Sequence, residues 1–496
     1  MGRALYRDEF APEDFARFGE RLRANLAALR AVLSRPGFGE GATTLGAELE
    51  LSIVDRDGRA CIINEQLRRA VGDPRLQLEL DRFNLEYNFA PVRAAGQPFR
   101  ALEQDIARVL ATVGDAAREH GARIVPIGIL PTLAEADLGP SSLTDLPRYR
   151  ALSAAVRRGR RVPIRVRIDG EDPLDVSCND VTLEGANTSF QVHLRVPPAQ
   201  FAECYNAAQV ATPLALAAAV NSPLLLGHRL WDETRVALFK KAMDVRDLEA
   251  LQWHPPARVS FGHGWMREGA YEAFAESASL FPVLFPLLGE EDDPRGVADS
   301  GGVPRLDELR LHQGTVWRWN RPIYDPDDGG HLRIEFRALP GGPTPVDMAA
   351  NAALLVGLTL GLRSELPRLL PALPFALAEY NFYRAAQHGL DATLLWPCEV
   401  APSPQEVPVR DLLARLLPIA ERGLASIDVD AEESTRLLGI VCARLECGTT
   451  AARWQRRALA RWGDGPPTPD SLHRLLENYL ARSATGRPVH TWVEAG

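Results

Sequence analysis

Lysine is almost missing from this chain. The 496 residues hold two, Lys240 and Lys241, side by side, so arginine supplies nearly all the positive charge. Arginine is the better bidentate partner for a carboxylate or a phosphate, although an arginine-heavy chain equally reflects codon composition. Cysteine is also scarce: Cys61, Cys178, Cys204, Cys398, Cys442 and Cys447 are scattered without a CxxC pair, which speaks against a structural zinc and for a reducing compartment. A net charge of −9 leaves no global attraction for polyanions, so no nucleic-acid partner is expected and any phosphate site must be local.

Several nucleotide and hydrolase signatures are absent. There is no GxxxxGK[ST] loop, no GxSxG elbow and no HExxH helix, and GFGEGA at 37–42 precedes a strand where a dinucleotide fingerprint would follow one. The opening MGRALYRDEFAPEDF carries acids where an export signal needs an apolar core. The most apolar run, Met348 to Leu362, contains Asn351 and is short for a bilayer span. The expectation is a cytoplasmic protein with no membrane partner.

Hydrophobic residues make up 46% and charged residues 24%, enough for a large core. Helical periodicity runs through 13–35 and 99–120, and further helices are expected at 199–220, 266–288, 346–363, 409–424, 431–446 and 469–481. Proline and glycine clusters predict loops at 289–304, 325–330 and 401–408. IRVRIDGEDPLDV reads as a hairpin, and the arginines from Arg157 to Arg167 are either a lid over phosphates or a solvated face. With no repeat or long linker, one large unit is favoured: an N-terminal helix and lead-in at 1–43, a core at 44–400 and a helical part at 401–496 packed on the same domain.

Four segments alternate apolar and polar residues with period two, so side chains at i and i+2 share a face. In GAELELSIVD, Glu48, Glu50 and Ser52 oppose Ala47, Leu49 and Leu51. In TSFQVHLRVP, Gln191, His193 and Arg195 oppose Phe190, Val192 and Leu194. HLRIEFRAL sets Arg333, Glu335 and Arg337 against Leu332, Ile334 and Phe336. LQLELDRFNLEYNFAP reads as strand, turn and strand, with Glu79 on the first and Glu86 on the second. Their odd separation requires the residues between them to turn or bulge. Apolar backs of this kind suit an α+β fold, an antiparallel sheet with helices on one face. The polar face is either ordinarily solvated or, because clustered glutamates repel without cations, a Mg2+ or Mn2+ site.

GAELELSIVD, NLEYN, QVHL, AAAVNSPLLLGHRLWDETR, RIEFRALPGGPT, NFYRAAQHGLDA and ARLECGTTAARW occur in the order seen in glutamate-cysteine ligases of the bacterial carboxylate-amine ligase type, and residues 44–457 resemble that family. The resemblance implies a glutamine synthetase-like fold, a curved antiparallel sheet with helices on its convex face and ATP, metals and acid substrate on its concave face. Carried over by position, Glu50, Glu79 and Glu86 would hold one Mg2+, and Glu48, His193 and Glu335 would hold the ion bridging the ATP phosphates. Arg333 and Arg337 would bind ATP, Arg337 also steadying the transferred phosphoryl group, and Arg235 would receive a substrate carboxylate. The implied reaction joins a carboxylate, that of glutamate, to an amine, cysteine, through an acyl phosphate. A guanidino kinase and a silent ATP-binding sensor are the alternatives. Gln191 stands where many relatives carry histidine, and QWHPPARVSFGHGWMR has no clear counterpart, so the acceptor amine is the open point.

Overall fold

The computed structural model describes residues 9–158, 163–244, 246, 255–397, 403–463 and 465–492. The alternating segments become strands of one sheet: β1 (Thr44–Asp55), β2 (Leu76–Leu78), β3 (Asn84–Asn88), β4 (Val92–Arg93), β5 (Ala122–Val125), β8 (Phe190–Arg195), β13 (Asn320–Asp325) and β14 (His331–Phe336). Its path is β13-β14-β8-β1-β3-β2, antiparallel throughout, with β4 and β5 also paired to β1. The 12 residues of β1 suffice for four partners: β8 and β5 share one edge in succession, β4 and β3 the other. Smaller ladders pair β6 (Ile164–Ile168) with β7 (Leu174–Cys178), β9 (Leu224–Leu225) with β10 (His228–Arg229), β11 (Val259–Ser260) with β12 (Trp317–Arg318) and β15 (Thr393–Trp396) with β16 (Gln405–Pro408).

The apolar back of the sheet is sealed. Leu49, Leu51, Phe190, Leu194, Leu332, Ile334 and Phe336 are fully buried, each such side chain contributing about 1.5–3 kcal/mol through removal from water. Helices Phe201–Ala219 and Pro345–Gly361 run beneath them and against each other. Both are rich in alanine, which lets the layers approach closely. The helical run Pro345–Ala372 is long and apolar enough to cross a bilayer, but 83% of its most apolar window is buried inside the protein. It is a core element of this fold.

Two polar knots tie the layers. Arg444 donates to Asp347 at 2.7 Å and to Asn351 at 2.5 Å, and it also reaches the carbonyl of Ala218, joining three helices; Asp347 further accepts from the backbone N–H of Val489. Asn221 donates to the carbonyl of Gly341 and to the Tyr479 hydroxyl, while Glu233 accepts from the Asn221 backbone N–H, Ser222 and Arg235. These partners let buried ionised groups persist.

Sequence periodicity located seven helices within a few residues, but it missed Phe375–His388 and Ala451–Trp462, and the expected 266–288 helix is confined to Ala270–Leu280. The loop expectations at 289–304 and 401–408 also need correction, since they contain helix Pro294–Asp299 and β16. The hairpin forms as β6 and β7, whereas Arg160 and Arg161 of the suggested lid lie outside the described residues.

Helix Val409–Ala425 crosses Pro345–Gly361 at a contact with no room for side chains. A Cβ on Gly423 would collide with the carbonyl oxygen of Gly357, and one on Gly361 with that of Ile419. Gly423→Ala should therefore destabilise the fold by about 1–3 kcal/mol, overpacking outweighing alanine's better helix propensity. The expected drop in thermal midpoint is read by calorimetry, and a midpoint at or above wild type would refute the close crossing.

Candidate active site

The polar sides of β1, β3, β8, β13 and β14 line a cavity of about 300 Å³. Register explains why the acids meet. Glu50 lies opposite Glu86 across β1 and β3, and Glu335 lies opposite His193 across β14 and β8. Gln77 lies opposite Glu86, and Glu79, just past the end of β2, lines the same cavity as Glu86. The turn between β2 and β3 thereby removes the parity problem of the Glu79–Glu86 spacing.

Glu48, His193 and Glu335 form the tightest group. Their candidate ligand atoms lie within 4.8 Å of one another, the one such trio found among the described residues. His193 Nε2 is 3.3 Å from Glu48 and 3.8 Å from Glu335, and it is buried without a hydrogen-bond partner. Two carboxylate oxygens and one imidazole nitrogen fit a divalent cation of the Mg2+ or Mn2+ kind. Arg333 Nε donates to His193 Nδ1 at 3.0 Å, so the neutral ring carries its proton on Nε2, toward the acids. Ligation through Nε2 requires that proton to move and Arg333 to release Nδ1.

Burial opposes ionisation of Glu335, but Arg321 foremost, then Arg337, hold its carboxyl well below the usual range. Arg321 forms a bidentate pair with it at 2.6 and 3.0 Å. Arg337 donates to Glu335 at 3.2 Å and to Gln191 Oε1 at 2.8 Å, and Gln191 Nε2 donates in turn to Glu50 at 3.1 Å. Where a histidine was the commoner expectation, this amide links the arginine to the second acid group.

That second group lies toward β2. Burial and then Glu86 push Glu50 up to about 7; burial and then Glu50 push Glu79 up to about 7; burial and then Glu48 and Glu79 push Glu86 up to about 8. Glu184, which the strand pattern did not single out, joins them: burial, then Glu79 and Glu50, raise it to about 8. It sits on the turn Glu184–Ala186, anchored by a hydrogen bond from Asn84 to the Gly185 carbonyl. Its only sequence signal was an acid four residues ahead of Thr188 in LEGANTSF, outside any alternating run. Arg321 was missed as well, though its alternation with Ile323 and Asp325 in NRPIYD was legible.

Arg235 stands apart from this group. It is 2% exposed, does not line the cavity, and commits its guanidinium to Glu233 at 2.7 Å and the carbonyl of Ala338 at 2.6 Å. Reaching a substrate carboxylate would mean breaking a buried ion pair, which costs several kcal/mol, on the order of 3–5. It belongs to the scaffold knot around Asn221.

Comparison with known proteins follows this geometry. The sequence profile of glutamate-cysteine ligase family 2 (GCS2) matches residues 44–476. A candidate glutamate-cysteine ligase 2-1 of Frankia alni is 26% identical over 462 residues, covering 90% of this chain and 97% of that protein. A protein of the same designation from Frankia casuarinae is 29% identical over 220 residues, 43% of this chain and 52% of its own length. A crystal structure of glutamate-cysteine ligase from Francisella tularensis in complex with AMP superposes with a TM-score of 0.50 at 10% identity, covering 92% of this chain and 96% of that one. The likeness establishes the α+β fold with its curled antiparallel sheet.

The raised carboxyls make a pH signature. Glu50, Glu79, Glu86 and Glu184 all have folded-state values above an unfolded value near 4.5, so they favour the fold below that value, and this contribution is lost as pH rises through 7 to 8. In EDTA the thermal midpoint should fall from pH 6 to pH 8.5, and Mg2+ or Mn2+ should restore it at the higher pH. A midpoint indifferent to both pH and divalent cations would contradict the arrangement.

Proposed function

The chain belongs to glutamate-cysteine ligase family 2, and from that premise we propose that it condenses the γ-carboxylate of glutamate with the amino group of cysteine at the expense of ATP. The observation that carries this reading is the Glu48–His193–Glu335 trio, hydrogen-bonded to the Arg321, Arg333 and Arg337 that line the cavity. A carboxylate is a poor electrophile, so its oxygen first attacks the γ-phosphorus of ATP, releasing ADP and forming an acyl phosphate. The amine nitrogen then bonds to the acyl carbon, the C–O bond to phosphate breaks, and phosphate leaves. Divalent cations, when bound, would neutralise phosphate charge.

The chain's own groups have distinct tasks in this scheme. Arg337, fixed between Gln191 and Glu335, faces the place where negative charge grows on the transferring group, and a preoriented donor there lowers the barrier without reorganisation. Arg333, held by Asp325 at 2.5 Å and by His193, supplies a second phosphate contact. Glu48, His193 and Glu335 would hold the phosphate-bridging cation, and Glu50, Glu79 and Glu86 the other. Glutamate and cysteine are favoured as substrates by the family and by the designations of its relatives.

Phosphate release from ATP across a panel of amino acids and amines, with mass spectrometry of the products, tests the reading. A γ-glutamyl amide supports it; a stable phosphorylated product with no free phosphate would instead identify a kinase. Glu335→Gln should lower turnover by at least about a hundredfold, because it removes one ligand and unpairs Arg321. Near-normal turnover in that variant would sink the assigned role.

A further inference from the structure

The cavity is divided by charge. Glu50, Glu79, Glu86 and Glu184 gather toward β2 with Arg148 as the one guanidinium beside them, and Arg321, Arg333 and Arg337 stand over β8, β13 and β14 with Asp325 as their carboxylate. A third region comes from outside the sheet and is apolar: Phe239, Met243, Phe274, Phe285 and Trp317 line it. The Phe239 and Trp317 rings meet edge to face with centroids 6.2 Å apart. Trp317 stands three residues before β13 begins, so this wall adjoins the edge strand that carries Arg321.

Two polar side chains of one short helix, Arg310 and Gln313, interrupt the apolar wall, and Arg310 is paired with Asp307. Gln313 closes the helix Asp307–Gln313, lines the same cavity and is 3% exposed. Neither its Oε1 nor its Nε2 has a hydrogen-bond partner. A buried amide left unsatisfied on both atoms is costly and unusual in a native fold. A ligand that supplies a donor and an acceptor side by side, on a flat apolar body, would satisfy it.

We propose that Gln313 reads the hydrogen-bonding edge of the adenine of ATP, with Phe239, Phe274, Phe285 and Trp317 enclosing the ring. The inference rests on the reading of the cavity as an ATP site. Charge sets the direction: the triphosphate lies over Arg321, Arg333 and Arg337, the acidic β2 end repels it, and the base takes the remaining apolar end. An amide pairs in bidentate fashion with the exocyclic amine and a ring nitrogen of adenine, and aromatic faces add stacking.

Adenosine isolates this end of the nucleotide because it carries no phosphate. Calorimetric titration of the full chain with adenosine should show binding that Gln313→Leu, similar in volume but without the amide, weakens at least about tenfold. Gln313→Leu should also raise the KM for ATP, with the KM for glutamate unchanged. Thermal melts of Gln313→Leu and the milder Gln313→Asn verify folding. Equal adenosine affinity in wild type and Gln313→Leu, or no adenosine binding by the wild type, overturns the inference. Adenosine binding that depends on Gln313 in a protein that makes no amide would retain the inference and reject the ligase reading. Amide synthesis with an unaltered KM for ATP in Gln313→Leu would do the reverse.

Discussion

Repulsion among carboxylates that share one face of a sheet is the constraint on which the rest of this structure depends. Antiparallel register sets Glu50 against Glu86 and Glu335 against His193, and the cavity above them excludes much of the water that would screen like charges. Six carboxylates and five guanidiniums line it. Arg321 and Arg337 hold Glu335 ionised, whereas the acids nearer β2 retain protons to unusually high pH. A divalent ion bound there would displace those protons.

Fixing such a face requires a rigid support, which divides the family motifs into two kinds. GAELEL, NLEYN, QVHL and RIEFR supply side chains to the cavity. NSP, DETR and ARLECGTT do not: their polar residues satisfy one another in the buried knots around Glu233 and Asp347. Both knots anchor the helices whose small residues back the strands. Precise placement of the acids and arginines thus depends on buried ion pairs that do not themselves line the cavity.

The difference between legible and hidden residues follows the same division. Strand parity revealed Glu48, Glu50, His193, Glu335 and Arg337, because one buried face and one polar face leave a period-two trace. Family order then suggested how Glu79 and Glu86 join them, and the register of β2 and β3 accounts for it. Glu184 escaped because it arrives on a turn, with no period to betray it, and Gln313 because it ends a seven-residue helix. The Glu233 partner of Arg235 was hidden for a related reason: a positive charge beside a motif does not disclose which group it pairs with inside the chain. Short helices such as Asn64–Val71 and Thr234–Ala242 were likewise too brief for their periodicity to stand out.

Gradation of charge along the cavity gives the site its direction. A tetraanionic nucleotide cannot rest on the acidic end without cations, and a substrate ammonium gains nothing from the arginines. The two kinds of ligand are therefore sorted before any specific hydrogen bond forms, one toward β13 and β14, the other toward β2 and β3. They can meet only over the centre of the sheet, where Gln191 joins Arg337 to Glu50. The proposed phosphoryl transfer would fall at that boundary, because there an acid substrate on one side could reach a phosphate held by the arginines on the other.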